Sequence, residues 1–122
     1  MPVDAVSLVR ALARGGDVEG MLVIGLDSHR EVCGVGVNAR HEALSFVKVW
    51  ELAALLTELD ACSLVVGLFR RGARRAPTRH ELEVFVDLRA RAHRAHVTLD
   101  DCVLARGSET WSLRELTLRA GG

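Results

Sequence analysis

Lysine and tyrosine are nearly missing from this chain: Lys48 is the sole lysine, and there is no tyrosine. Positive charge is therefore carried by arginine, a bias that, with abundant Ala, Val and Gly, fits a GC-rich coding sequence rather than any one activity. No apolar run approaches the roughly 18 residues that a membrane span needs, so a transmembrane helix is excluded. The stretch from Met1 to Arg14 has Asp4 early and polar breaks throughout. It does not read as a signal peptide, and a cytoplasmic protein is expected. With 2 prolines and a hydrophobic fraction of 49%, the chain is not of the disordered class. Cys33, Cys62 and Cys102 are odd in number, widely spaced and set in largely apolar contexts. They predict reduced core thiols rather than a disulfide framework or a CxxC metal site. The net charge of zero excludes a general nucleic-acid binder but leaves room for a local anionic partner.

What is there fits one domain. At 122 residues roughly two thirds of the unfolded surface can be buried. Ala5, Leu8, Val9 and Leu12 fall at helical spacing, and Gly15-Gly16 stops the helix. Residues 21–26 form an apolar run of strand length, Asp27 to Arg30 a hairpin turn, and Glu31 to Val37 the partner strand. Leu44 to Val47 reads as a brief extended segment. A helix follows from Val49 to about Ala61, then a strand from Ser63 to Phe69 that is apolar on both parities, as in a central strand covered on both faces. Next come a helix from about Arg79 to Ala95, a strand from Val97 to Ala105, a return strand from Thr110 to Leu113 and a closing helical turn from Arg114 to Arg119. The expected fold is a single-domain α/β protein with a mixed sheet packed with helices.

The stretch from Val65 to Glu81 is where chemistry is expected. It runs from an apolar strand through a loop rich in arginine to Thr78-x-x-Glu81, a capping box that opens a helix. Arg70, Arg71, Arg74, Arg75 and Arg79 read as a solvated charge run or as a site for an anion, whether phosphate, nucleic acid or an acidic protein surface. Only Phe69 lies near to stack a base, which disfavours sequence-specific recognition of single strands. His93 and His96 either complement a helix dipole or share a relocated metal with Cys102 or Asp101. Trp50 and Trp111 are expected in core or half-buried packing, with an interface role as the alternative.

From about Leu22 to Glu115, roughly three quarters of its length, the chain resembles the JAB/MPN domain in its bacterial RadC-like branch. The resemblance is carried by the strand ending in Leu26-Asp27, Trp50-Glu51-Leu52, Ser63 to Val66, Pro77 to Glu81, Leu99 to Leu104 and Trp111 to Glu115, in that order. It implies a helix and linker over residues 1–20 before a RadC-like domain over residues 21–119, with the cytidine-deaminase-like architecture of that family. Active members resembled here bind zinc through His-x-His and a later Ser-x-x-Asp, with an upstream glutamate as general base. On this chain those positions fall on Leu68 and Arg70, on Thr78 and Glu81, and near Val35, or on Glu31 if the register slips. Leucine offers no lone pair and arginine brings a permanent cation. The resemblance therefore implies a chain with no catalytic residues, metal or cofactor, an inactive domain acting as a protein-binding or assembly module, alone or as a homodimer. The alternatives are a DNA-associated protein, as RadC invites, that binds through the arginine loop, and a hydrolase with a relocated metal.

Overall fold

A computed structural model of the chain describes residues 4–14, 19–38, 43–70, 75–107 and 109–121. Helix α1 (Ala5–Arg14) buries Ala5, Val9 and Ala13, one residue per turn on a single face. Asp4 caps it, accepting the Ser7 N–H at 2.7 Å. Strands β1 (Gly20–Leu26) and β2 (Val32–Asn38) form an antiparallel hairpin. In its turn Asp27 Oδ1 accepts the N–H groups of His29 and Glu31 at 2.8 and 3.0 Å. A 3-10 turn (Leu44–Phe46) leads into α2 (Val49–Glu58) and then β3 (Ser63–Arg70). Helix α3 (Arg79–Arg94), β4 (Leu99–Arg106), β5 (Glu109–Ser112) and α4 (Leu113–Gly121) complete the chain.

The five strands make one mixed sheet in the order β2-β1-β3-β4-β5. Only β3 and β4 run parallel, because helix α3 carries the chain back between them; every other neighbour is antiparallel. Leu64, Val66 and Leu68 of β3 face the core under α2, α3 and α4, with Leu52, Phe85, Leu88 and Leu113 packed on them. Val65 and Phe69 face the other way, beneath Val9 of α1. The expected burial of β3 on both faces is thus explained by helices on both sides of the sheet. Among the described residues no helix is long and apolar enough to cross a membrane.

Three expectations need correction. Leu44 to Val47 is not extended: Leu44 and Val47 are both buried, a spacing of three that suits a 3-10 turn. Backbone bonds from Phe46 to Ala43 and from Val47 to Leu44 close it, at 3.2 and 3.0 Å. Cys33 and Cys62 are exposed, and only Cys102 is a core thiol. Cys33 lies on an outer strand and Cys62 just before β3, so apolar neighbours in sequence do not bury them. Trp50 is 72% exposed, because α2 turns Leu52 inward and leaves Trp50 on its outer side.

Gly25 marks the closest approach of β1 to the chain leaving α2. A Cβ at this position would lie 2.9 Å from Ala61 Cβ and 3.1 Å from Leu59 Cβ. Gly25→Ala is expected to destabilise the fold by about 1–3 kcal/mol. A lower denaturant midpoint at unchanged slope is the readout.

Candidate functional site

The site lies at the end of the sheet where the parallel strands β3 and β4 finish. Arg70 and Arg106 are register partners there, the last residues of their strands. Two guanidiniums side by side repel, and the fold separates their tasks. The Arg106 side chain is 12% exposed and donates through Nη2 to Glu81 Oε2 at 2.5 Å. Its Nη1 donates to the carbonyls of Arg75 and Ala76, at 2.6 and 3.3 Å. Arg106 thus ties the last residues of the arginine loop to the first turn of α3. Arg70 is exposed, and its side chain has no ion-pair partner among the described residues.

Thr78 and Glu81 form the expected capping box at the start of α3. The Thr78 N–H donates to Glu81 Oε1 at 2.9 Å, and the Glu81 N–H donates to Thr78 Oγ1 at 3.2 Å. Both carboxylate oxygens of Glu81 are therefore engaged. Partial burial pushes its carboxyl up, but the Arg106 hydrogen bond, the Thr78 N–H and the Arg106 charge outweigh this and hold it below the usual glutamate value.

Leu68, Arg70, His80 and Glu81 border one recess of about 70 Å³, which Ala43, Leu44 and Ser45 also line. The strand and the capped helix do bring these positions together. They do not make a zinc site: Leu68 has no donor atom, Arg70 is a cation, the Thr78 hydroxyl accepts an N–H, and Glu81 is paired. Val35 lies on the outer strand β2 and is 45% exposed.

The remaining expectations divide. Arg75 is exposed without an ion-pair partner among the described residues, whereas Arg79 pairs with Glu83 at 3.3 Å. Arg71 and Arg74 lie outside the described residues. Trp111 is half-buried against the main core. His93 and His96 are exposed near the end of α3. Cys102 is fully buried; burial, then the charges of Asp101 and Glu81, pushes its thiol well above the usual value. Among the described residues, no group of three His, Cys, Asp or Glu could hold a metal ion.

Arg106 is the residue that sequence reasoning missed. One signal was present: residues 63–70 and 99–106 are strand segments of equal length that both end in arginine, and a parallel pairing sets those ends together. Models of known protein families and curated protein sequences give no match to this chain.

Proposed function

We propose that the chain is a divergent RadC-like member of the JAB/MPN family that lacks the zinc ligands and acts as a protein-binding or assembly module. The observation that carries this reading is the convergence of Leu68, Arg70 and Glu81 on one recess, with the carboxylate bound by Arg106. A guanidinium from within the chain supplies the positive charge that a metal would bring to Glu81. No water is activated there, and the frame remains as a rigid binding surface. Trp50, exposed and aromatic, is the anchor this reading assigns to a partner or to a second copy of the chain.

Metal analysis of protein purified without chelator tests the proposal. The expected zinc content is far below stoichiometric. One zinc per chain, lost in Glu81→Ala, overturns it.

A second reading is favoured by one observation: Arg70 and Arg75 are exposed and have no ion-pair partner among the described residues. In it the loop holds nucleic acid. Binding then falls steeply with salt, and Arg70→Gln with Arg75→Gln lowers the logarithmic salt slope by about 1–2. Absence of any DNA binding at low salt removes this reading.

A further inference from the structure

The recess beside Arg70 has a floor and a rim of opposite character. Leu44, Leu68, Leu104 and Leu113, all buried, form the floor. Arg70 and His80 stand at the rim, both exposed. Glu81 also borders the space, but its charge is taken up by Arg106 at 2.5 Å. Among the described residues, the Arg70 guanidinium is therefore a permanent charge at the rim with no ion-pair partner.

We propose that this recess binds a carboxylate carried on a short aliphatic stem, the carboxylate forked on Arg70 and the stem laid over the leucine floor. This rests on the reading of the site as a non-catalytic binding site, and it names the chemistry of what is bound. Three features select that class. A planar guanidinium matches a carboxylate with two parallel N–H···O bonds. The space of about 70 Å³ has room for a stem of roughly two to four carbons. A phosphate dianion fits poorly, because it would bring a second negative charge against an apolar floor with only one guanidinium to pair it. A neutral hydrocarbon would cover the guanidinium without pairing it.

The same chemistry has two sources, a free short-chain acid and the C-terminal residue of a peptide. The test is a backbone-amide NMR titration of the full chain at fixed ionic strength with formate, propanoate and butanoate. Acetyl-Gly-Val is added as free acid and as amide. Propanoate and butanoate are expected to saturate shifts at Ser45, Arg70 and the first turn of α3, binding at least about fivefold more tightly than formate. Arg70→Gln, a change at an exposed position, is expected to weaken binding tenfold or more, and Arg70→Lys, which keeps the charge and loses the fork, several-fold.

If the peptide acid binds more tightly than propanoate and the peptide amide does not bind, the source is a chain end. Equal affinity of peptide acid and propanoate points to a free acid, and both outcomes support the site. The proposal is overturned if no shifts saturate, if formate matches butanoate, or if Arg70→Gln leaves binding unchanged. Zinc content is measured on the same sample, so a metal-loaded protein refutes the non-catalytic reading separately from any result on carboxylates.

Discussion

Arg106→Ala is expected to lower stability by about 2–4 kcal/mol, somewhat under the roughly 3–5 kcal/mol for removing one partner of a fully buried ion pair, because the Glu81 side chain is 26% exposed. The variant leaves Glu81 without its counter-charge and the carbonyls of Arg75 and Ala76 without their donor. For a domain of this size that corresponds to roughly 10 °C in melting temperature. Glu81→Gln added to Arg106→Ala is expected to recover part of the loss, because an amide is cheaper to leave unpaired than a carboxylate. The wild-type pair also has a pH signature. Glu81 titrates below its ordinary value of 4.5 in the folded chain. Its contribution is complete above that value and is lost as pH falls through the lower folded value. In Arg106→Ala this acid-side loss shrinks. A melting series across that range, with equal slopes in the two proteins, would refute the assigned pairing.

The second large effect lies at the opposite end of β4. Asp101 is 7% exposed and gathers three donors. They are the Cys102 N–H at 2.7 Å, the Ser112 hydroxyl at 2.5 Å and the Arg114 N–H at 3.0 Å. Ser112 in turn accepts the Glu115 N–H at 3.2 Å, so the start of α4 is capped from its own chain and from the neighbouring strand. Asp101→Ala is expected to cost about 2–4 kcal/mol, since it strands these donors in a part-buried place. Burial raises the Asp101 carboxyl above 3.8, against the pull of the Ser112, Arg114 and Cys102 bonds. The sign is opposite to that of Glu81. Stability from this group is fully present below 3.8 and is lost as pH rises through the raised value. Asp101→Asn cannot ionise, so its stability is expected to lack that decline while its amide oxygen keeps two of the bonds. Denaturant midpoints from acid to neutral pH measure the difference.

Much of this architecture was legible from local pattern. Apolar runs of strand length mark β1 and β3, helical spacing marks α1, α2 and α3, a strand is read over residues 97–105 where β4 lies, and Thr78-x-x-Glu81 marks a cap that is present atom for atom. The stretch from Val65 to Glu81 reads in sequence as a place for chemistry, and Leu68, Arg70, His80 and Glu81 border one recess. What stayed hidden depends on distance along the chain. The bond between Glu81 and Arg106 joins residues 25 apart, and no local period encodes it. Residue type favours core or half-buried packing for Trp50, yet the burial of Leu52 decides which side of α2 faces the core. The last helix exceeds the single turn expected, running from Leu113 to Gly121, because Asp101 and Ser112 together satisfy its first amides.

The central place of β3 also governs how the molecule opens. From Leu64 to Phe69, β3 lies between two bonded neighbours, with helices on both faces of the sheet. Its hydrogen exchange should follow global unfolding, while β2 and β5, the outer strands, exchange by local fraying. Strand β3 also gains nothing from adjacent sequence, since its partners β1 and β4 are reached only through α2 and α3. The β1–β2 hairpin can form early, and the remainder of the sheet waits on two longer loop closures. Arg70 sits at the end of this central strand. Its guanidinium therefore reaches its place only when the whole domain has folded, so occupancy of that end reports on the intact protein.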